Sequence, residues 1–565
     1  MAELSPVKRL HPHLRMQLYG LDPNPSQIAI PPDSSSGRVI YWLQWVVRFY
    51  RQSPPPPSIY DYTDGKTAGT WLNDTLQDAL ITDEASYLKD LSSRYGFTRD
   101  VPWFSRRIRP AYKTKSRNSM TDVRLRFMSH DFRRVRPGDE GLELHAEKAI
   151  QLPISQSATP DQVSAASLIF GISTSYSRLT YSNDSLVKDW ARWLTDGKGR
   201  TNGASLVLNL HQGSNAEISY LNTKLRELGI DAIVLASDES SDVTTRYIDL
   251  MHMLSRRSDE LSKEGKGRKF IALVDDDIFF PSLGKLLGKL EKFNSKQEAY
   301  IGIPSERSDW TIENNITMTY GGGAVFFTLP MADKLAELPC LKKEGDHAGE
   351  LKPREDAYWD EHLYKCVSQH TEDNLYVLPS FYVPEDDYHG LRTGFEGGVQ
   401  PLALHHYRHR HRFEPWKAHM VTSLCGENCF LQRFWFKDSW ILVNGHTISH
   451  YPDGVEVVPL KKSSLLVTQQ AREKERTVQI AKRLVIDPVD GREERKVVSW
   501  TGVKQTWRLL DARMTDDGEV WQAYIKRRGS PVSYGDEDDR LPDDTVHRQE
   551  GPSDVDSIIM LIWEP

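Results

Sequence analysis

The sequence predicts an α/β fold with a mostly parallel central sheet and a β-rich C-terminal appendage. From Ser167 onward, short apolar segments of strand length alternate with amphipathic segments of helical length. Such alternation is typical of a parallel sheet that is covered by helices on both faces. One apolar run, Phe270–Val274, ends abruptly in the acids Asp275–Asp277. Beyond Phe430 the pattern changes to short β-like runs that alternate with turns and charged loops.

The predicted elements follow from hydrophobic periodicity. The expected strands of the central sheet are Leu168–Ile172, Ser205–Leu210, Asp231–Ala236, Phe270–Val274, Ala299–Ile303, Ala324–Thr328 and Leu375–Pro379. The expected helices are Asp184–Leu194, a segment from Ile218 to Leu228, a segment around Tyr247–Leu254, Ser282–Phe293 and Ala357–Ser368. The expected strands of the appendage are Ser439–Val443, Val455–Leu460, Gln505–Leu510, Val520–Ile525 and Ile558–Trp563.

The length of 565 residues corresponds to roughly three to four domains. We expect an N-terminal leader or stem over residues 1–164, an α/β domain over 165–429 and the β-rich domain over 430–565. A net charge of −7 gives no overall signal for polyanion binding. Basic residues are nevertheless dense from Arg106 to Arg136. This basic run predicts a polyanion-binding segment, a solvated linker or a face that pairs with acids elsewhere.

The four cysteines are Cys340, Cys366, Cys425 and Cys429. They are too few for a disulfide scaffold, and if they form two bridges, three connectivities are possible. Cys425 and Cys429 are close enough for a local bridge or for two zinc ligands. Reduced structural cysteines are the third interpretation.

The acidic turn is the strongest functional signal. In an extended segment, residues two apart point to the same side, so Asp275 and Asp277 can converge while Asp276 points away. Ligands of open α/β sheets bind beyond the carboxyl ends of the strands, where these acids lie. Hard carboxylates there suit Mn²⁺ or Mg²⁺, which also bind phosphates. The alternative is a solvated acidic turn.

Several motifs recur in an order that resembles the family 31 glycosyltransferases, with the fringe-like and core 1 β1,3-galactosyltransferase-like branch as the most similar. The resemblance covers about residues 165–415. The motifs are Phe170–Ser175 with Arg178, Lys269–Pro281, Tyr320–Ala324, Asp360 with Leu363 and Cys366-Val367, and Leu404-His405-His406. The resemblance implies a GT-A fold, Mn²⁺ dependence, a UDP-sugar donor and inverting β1,3 transfer.

The resemblance also implies roles for individual residues. Asp275 and Asp277 match the metal-binding Asp-x-Asp motif. One histidine of the His405-His406 pair matches the C-terminal metal ligand; His406 is preferred because Tyr407 fits the pattern, and a one-residue shift gives His405. The residues expected near the nucleotide or the donor sugar are Thr174, Arg178, Asp238, Asp276, Gly321, Gly322 and Gly323.

Asp360 matches the catalytic base of the family, since its spacing to Leu363 and Cys366 fits. Relatives have Gly or Glu before this aspartate, whereas this chain has Trp359. Asp356 lies four residues earlier on the same helical face and is the rival for the same role.

We therefore expect an inverting, metal-dependent transferase that moves a sugar from a UDP-sugar to a hydroxyl of a glycan or glycoprotein. The alternatives are a non-catalytic sugar-binding protein on a transferase fold and a polyanion binder; no nucleic-acid partner is expected. The resemblance implies a location in the Golgi lumen and the oxidised pairs Cys425–Cys429 and Cys340–Cys366. No membrane anchor and no signal peptide are visible in the sequence.

Overall fold

The apolar runs of the sequence form two large β-sheets. The computed structural model describes residues 83–97, 99–114, 116–180, 184–237, 242–303, 324–341, 359–373, 375–378, 395, 400–405, 414–459, 484–486, 496–528, 531–535, 551–552 and 555–565. The chain divides into the units Met1–Thr67 and Ala68–Pro565, and all described residues belong to the second.

The strands are β1 (Val101–Thr114), β2 (Thr121–Asp122), β3 (Arg133–Val135), β4 (Glu147–Ser155), β5 (Leu168–Ser175), β6 (Ser205–His211), β7 (Ala232–Ser237), β8 (Phe270–Leu273), β9 (Ile278–Phe279), β10 (Tyr300–Ile303), β11 (Ala324–Thr328), β12 (Leu375–Val377), β13 (Leu404–His405), β14 (Arg433–Trp435), β15 (Trp440–Val443), β16 (Thr447–His450), β17 (Glu456–Pro459), β18 (Leu484–Ile486), β19 (Lys496–Ser499), β20 (Gly502–Met514), β21 (Val520–Lys526), β22 (Pro531–Gly535), β23 (Gly551–Pro552) and β24 (Ser557–Trp563). The helices are α1 (Glu84–Tyr95), α2 (Tyr176–Thr180), α3 (Ser185–Leu194), α4 (Asn215–Glu227), α5 (Val243–Lys263), α6 (Leu283–Leu290), α7 (Leu329–Ala336), α8 (Trp359–His370), α9 (Pro415–Ala418) and α10 (Thr422–Cys425).

The first sheet is mixed and mainly parallel. Its described strands have the order β18-β12-β10-β11-β8-β5-β6-β7. Strand β11 runs antiparallel to both neighbours, β10 and β8, whereas the other described pairs of this sheet are parallel. The predicted α/β class with a mostly parallel central sheet is confirmed, whereas the GT-A type that the resemblance implies stays a prediction.

Alternate residues of each strand enter two different cores, as the two-residue period of a strand requires. Ile271 and Leu273 pack with helices α5, α7 and α8 on one face. Ala272 and Val274 belong to the core on the other face, which also contains residues of α3 and α6 and of the second sheet. Because both faces of β8 are buried, the acids that follow it lie at the rim of a rigid layer.

The second sheet joins the two ends of the described chain. Its main order is β2-β14-β15-β16-β20-β21-β24-β1-β3, and β4 pairs with β1. The expected β-rich C-terminal region is confirmed. The partition into residues 1–164, 165–429 and 430–565 stays a prediction. However, residues 101–155 contribute strands to this sheet, a pairing between distant segments for which the sequence carries no local signal.

Most predicted strands of the central sheet lie within one to three residues of the observed ones, and Ala324–Thr328 is unchanged. Helix α5 is longer than expected because it extends from Val243 to Lys263. Strand β9 was not predicted, and it interrupts the connection between the acidic turn and α6. None of the described helices is both long and apolar enough to cross a membrane.

Candidate active site

The acidic turn follows β8 and precedes β9, so both ends of the turn are fixed by paired strands. Helix α6 begins directly afterwards, and its N-terminus is capped by Glu427, a residue distant in sequence. The buried carboxylate of Glu427 accepts hydrogen bonds from the backbone N–H groups of Leu283 and Gly284, both at 3.0 Å, and from the Ser282 hydroxyl at 2.8 Å. A carboxylate at a helix N-terminus satisfies backbone donors that the helix leaves open. The turn is therefore held by both sheet and helix.

His405 reaches the acidic turn through the pairing of two short strands. Strand β13 runs antiparallel to β9, with His405 opposite Ile278 and Leu404 opposite Phe279. This register brings the buried His405 Nε2 to 3.3 Å from Asp275 Oδ2 and 3.2 Å from Asp277 Oδ1. Asp275 and Asp277 thus converge on one side, as their spacing predicts. His406, the histidine preferred from the sequence, lies outside the described residues.

Asp275 Oδ2, Asp277 Oδ1 and His405 Nε2 can be compared with the ligands of a divalent cation. Adjacent ligands of an octahedral Mg²⁺ or Mn²⁺ ion lie about 2.1 Å from the ion and hence about 3 Å from each other. The separations of 3.2 and 3.3 Å match this spacing. In the described part of the chain, no group of three or more His, Cys, Asp or Glu side chains is arranged so that it could hold a metal ion. Because Mg²⁺ and Mn²⁺ usually keep several waters and bind substrate phosphates, a cation at Asp275, Asp277 and His405 would need these further ligands.

Asp276 faces away from His405 and lies against strand β5 and helix α2. Its Oδ2 accepts a hydrogen bond from the Thr174 hydroxyl and another from Arg178 Nε at 2.5 Å. The indole of Trp190 donates to the Asp276 carbonyl oxygen at 2.9 Å. Burial raises the pKa of Asp276, and Arg178 offsets part of that shift.

Arg178 connects two of the three acids, because its Nη2 also lies 3.4 Å from Asp277 Oδ2. Burial acts to lower the pKa of Arg178, but the hydrogen bond and charge of Asp276 raise it above the ordinary value. Thr174 and Arg178, both expected near a nucleotide, thus contact the acidic turn. A guanidinium at this rim can also bind a diphosphate.

Two aromatic residues that the sequence did not single out contact Asp275. The Tyr247 hydroxyl lies 2.8 Å from Asp275 Oδ1 and 3.0 Å from the Val274 carbonyl oxygen. The indole of Trp359 donates to the same Oδ1 at 3.1 Å. Burial and the charge of Asp275 raise the pKa of Tyr247 well above its usual range, so the hydroxyl stays a donor. The one sequence feature that could have drawn attention to Trp359 is that the family pattern has Gly or Glu at this position.

Asp360 is buried at the start of α8, directly after Trp359. Its Oδ1 accepts a hydrogen bond from the backbone N–H of Glu361 at 2.9 Å. Burial, and then the charge of Asp360, raise the pKa of Tyr300 on β10 well above its usual range. Asp360 therefore lies close enough to Tyr300 for their charges to interact. The rival Asp356, together with Asp238, Gly321, Gly322 and Gly323, lies outside the described residues.

Both expected cysteine pairs are present as disulfides. Cys340–Cys366 has a Cα–Cα distance of 5.9 Å and Cys425–Cys429 one of 5.8 Å, which are ordinary values. The first bridge ties α8 to the short turn Pro339–Leu341. His362 Nε2 also lies 3.1 Å from the Cys340 carbonyl oxygen. These links fix the helix that presents Trp359 and Asp360.

Several arginines of the basic run form ion pairs with acids in the described part of the chain. Arg106 forms an ion pair with Glu147. Arg107 contacts Glu519 at 2.7 Å and Glu564 at 2.9 Å. These contacts support a face that pairs with acids elsewhere for this part of the run, and polyanion binding stays a prediction.

Comparisons with known proteins add the following findings. No protein-family model matches the chain. No curated protein matches it either. Solved structures to which it is similar include the glycosyltransferase GlyE of Streptococcus pneumoniae, with 13% identity over 42% of this chain and 53% of GlyE at a TM-score of 0.24.

Two further solved structures are similar over comparable parts of the chain. The galactosyltransferase LgtC in complex with donor and acceptor sugar analogues has 11% identity over 35% of this chain and 70% of its own, at a TM-score of 0.22. The bifunctional glycosyltransferase WbbM has 12% identity over 47% of this chain and 50% of its own, at a TM-score of 0.25. Similarity at this level assigns neither an activity nor a substrate to the chain.

Proposed function

We propose that this protein is a metal-dependent glycosyltransferase that uses a nucleotide-sugar donor. The observation that carries the proposal is the convergence of Asp275 Oδ2, Asp277 Oδ1 and His405 Nε2 at the carboxyl end of β8. Ligands of open α/β sheets bind at this edge. Two carboxylates and one imidazole form a set that suits Mn²⁺ better than Mg²⁺, because the nitrogen ligand is softer than oxygen.

Asp275, Asp277 and His405 would hold the cation, which supplies charge neutralisation to a departing diphosphate. The described geometry supports His405 as the histidine ligand, although the sequence favoured His406. Arg178 is positioned by Asp276 and Asp277 at the same rim, where its guanidinium can donate to phosphate oxygens. The nucleotide would thus be bound between β5 and the acidic turn. UDP is the nucleotide that the family resemblance implies.

Asp360 is the proposed general base. Inverting transfer needs one carboxylate that accepts the proton of the acceptor hydroxyl and no protein nucleophile. Trp359 supports this role, because its hydrogen bond to Asp275 fixes the first turn of α8 beside the acidic turn. Asp356 stays the rival for the same role.

The acceptor and the compartment are proposed from the family resemblance. A glycan or glycoprotein hydroxyl, joined in a β1,3 linkage, is the expected acceptor. The two disulfides support an oxidising compartment such as the lumen of the secretory pathway. A location in the Golgi lumen accords with this, and it is open to direct test by localising the protein.

The decisive experiment is a screen of UDP-sugars with detection of free UDP, with and without Mn²⁺. We expect UDP release from at least one donor with Mn²⁺, and loss of release when Mn²⁺ is chelated. Calorimetry of UDP with Mn²⁺ then measures binding by the wild type and by Asp277→Ala. We expect the variant to lose binding, because one hard ligand and one negative charge are removed.

Asp516→Ala is the matched control, since it removes an exposed carboxylate from the β-rich appendage. Unchanged UDP–Mn²⁺ affinity in Asp277→Ala would refute the metal assignment. Tight binding of UDP-sugars without any turnover would instead indicate a non-catalytic sugar-binding protein.

A further inference from the structure

Two aromatic residues from different helices meet at one oxygen of Asp275. Tyr247 lies in helix α5, and Trp359 is the first residue of helix α8. Their rings are stacked, with centroids 4.2 Å apart and an interplanar angle of 6°. The Tyr247 hydroxyl and the Trp359 indole N–H both point to Asp275 Oδ1, at 2.8 and 3.1 Å.

The two oxygens of Asp275 therefore have separate contacts. Oδ1 contacts the aromatic pair, and Oδ2 faces His405 Nε2 at 3.3 Å. We propose that Tyr247 and Trp359 are positioning residues that fix the rotation of the Asp275 carboxylate, so that Oδ2 is presented to the divalent cation. This inference rests on the proposed function and adds a specific role for residues that neither the sequence motifs nor the comparisons assign.

Asp275 needs such a restraint more than Asp277 does. Its side chain is 28% exposed, whereas that of Asp277 is 10% exposed and contacts Arg178. A partly exposed carboxylate samples several rotations unless donors hold it, because the terminal torsion of aspartate is broad. Partners of this kind, which orient a ligand without touching the metal, raise metal affinity.

The aromatic pair is itself rigid. Tyr247 and Trp359 are buried in the core formed with α7 and the first sheet. The disulfide Cys340–Cys366 ties α8 to the turn that follows α7. Both donors are neutral, so they orient Asp275 without a positive charge that would repel a cation. A lysine or arginine in the same place would fix the carboxylate but weaken metal binding.

The test uses the full chain and Mn²⁺ alone, with free Mn²⁺ measured by electron paramagnetic resonance. Trp359→Phe removes the indole N–H and keeps an aromatic ring, and Tyr247→Phe removes only the hydroxyl. We expect each variant to bind Mn²⁺ about 10-fold more weakly and the double variant to approach about 100-fold, the usual range for such partners. The unfolding temperature of each variant is measured in parallel.

The chain offers matched controls for both substitutions. Tyr87 donates to Asp511 at 2.8 Å, and Trp521 donates to Glu519 at 2.9 Å, both outside the acidic turn. Tyr87→Phe and Trp521→Phe remove the same donors from carboxylates that are not proposed ligands. We expect their Mn²⁺ affinities to equal that of the wild type, whatever their stability.

A spectroscopic readout separates positioning from packing. The indole ¹⁵N–H signal of Trp359 is identified as the one that disappears in Trp359→Phe. We expect this signal to shift when Mg²⁺ is added to the wild type, while the Trp521 signal does not move. Should Trp359→Phe fail to fold, Tyr247→Phe provides the same test. The Trp359 indole signal is then identified as the one that shifts both in Tyr247→Phe and on addition of Mg²⁺ to the wild type.

The outcomes distinguish this inference from the function on which it rests. A wild type that binds no Mn²⁺ would overturn the proposed metal dependence. Normal Mn²⁺ binding by the wild type and equally tight or tighter binding by both Phe variants would overturn the positioning role alone. Weaker binding confined to the Tyr247 and Trp359 variants supports it.

Discussion

Asp275 and Asp511 both accept a hydrogen bond from a buried tyrosine hydroxyl, at 2.8 Å in each case. Their surroundings differ in charge. Asp511 is contacted by Arg94 at 2.8 Å, by Lys417 at 3.2 Å and by Arg513 at 3.3 Å. Asp275 is held at Oδ1 by the neutral donors Tyr247 and Trp359, and two further acids follow it in the turn.

This contrast separates a carboxylate that holds the fold together from one that is available to a ligand. Burial alone would raise the pKa of Asp511, but the charges of Lys417 and Arg94 hold it well below its ordinary value. The pairing joins α1, α9 and β20, which are distant in sequence. In the acidic turn Arg178 contacts Asp276 and Asp277, whereas the donors to Asp275 Oδ1 are neutral, so the three acids carry more negative charge than Arg178 offsets.

The largest expected effect concerns Asp360, a third carboxylate, which is buried at the start of α8. Asp360→Asn keeps the size of the side chain but cannot accept a proton. If Asp360 is the general base, transfer at saturating donor should fall about 10²–10⁴-fold while donor and metal binding persist. Asp356→Asn is the control, with the same chemistry four residues earlier in the sequence.

The comparison between these two variants has a clear contrary outcome. An inactive Asp356→Asn with an active Asp360→Asn would assign the base to Asp356. An equal loss of stability, binding and turnover in Asp360→Asn would instead place Asp360 with Asp511 as a structural carboxylate.

Asp511→Asn should have the next largest effect, and it should act on stability alone. Removing one member of a buried ion cluster leaves its partners uncompensated, which costs about 3–5 kcal/mol. Urea unfolding measures this loss, and Mn²⁺ affinity of the folded variant should not change. Asp90→Asn is the control, because Asp90 contacts Arg94 and Arg513 but its side chain is 34% exposed. We expect that variant to lose about 1 kcal/mol or less.

His419 gives a pH-dependent test of the connection between the acidic turn and the appendage. It is buried between Phe279 and Phe430, and its Nε2 donates to the Pro281 carbonyl oxygen at 2.9 Å. Burial, and then the charge of Arg192, lower its pKa to about 3. As the pH falls, His419 therefore binds a proton in the unfolded chain at a pKa of about 6.5, and in the folded chain only at a lower pH.

Stability from this histidine is thus present above about pH 6.5 and is lost as pH falls toward 3. The slope is at most about 1.4 kcal/mol per pH unit. His419→Gln should flatten the urea-unfolding profile between about pH 6.5 and 4, above the range in which carboxylates such as Asp511 titrate. A variant whose profile keeps the wild-type slope in this window would contradict the assignment.

The site was predictable from sequence only where its signal is local. Asp275 and Asp277 follow a buried strand directly, so their position and common side could be read from spacing. The contact of His405 with Asp275 and Asp277 could not be read from the sequence, because it depends on the register of β13 against β9, two strands of two residues each. Tyr247 and Trp359 resemble ordinary core aromatics in a helical pattern, and their polar atoms meet Asp275 only after α5 and α8 pack together.

The fold, too, was predictable from sequence only where its signal is local. The central strands of the α/β layer were found from their apolar runs, since β5, β6, β8, β10 and β11 are buried on both faces. The place of β1 between β24 and β3 could not be found, because pairing between residues far apart in sequence leaves no periodic signal. The dense arginines of β1 left pairing with acids as one of several interpretations, and the sequence could not say that the acids are Glu147 of β4 together with Glu519 and Glu564 near the C-terminal strands.

The smallest expected effect concerns those arginines. Arg109 is 61% exposed and pairs with Glu564, which also contacts Arg107. Exposed ion pairs contribute about 0–1 kcal/mol, so Arg109→Gln should lower the free energy of unfolding by less than about 1 kcal/mol.

Heparin binding provides the complementary measurement, since polyanion affinity falls steeply with salt when it depends on phosphate or sulfate contacts. Because acids neutralise this part of the run, we expect weak heparin binding that Arg109→Gln leaves unchanged. Tight, salt-sensitive binding that the substitution weakens would show that the basic run, and not only the acidic turn, is a ligand site.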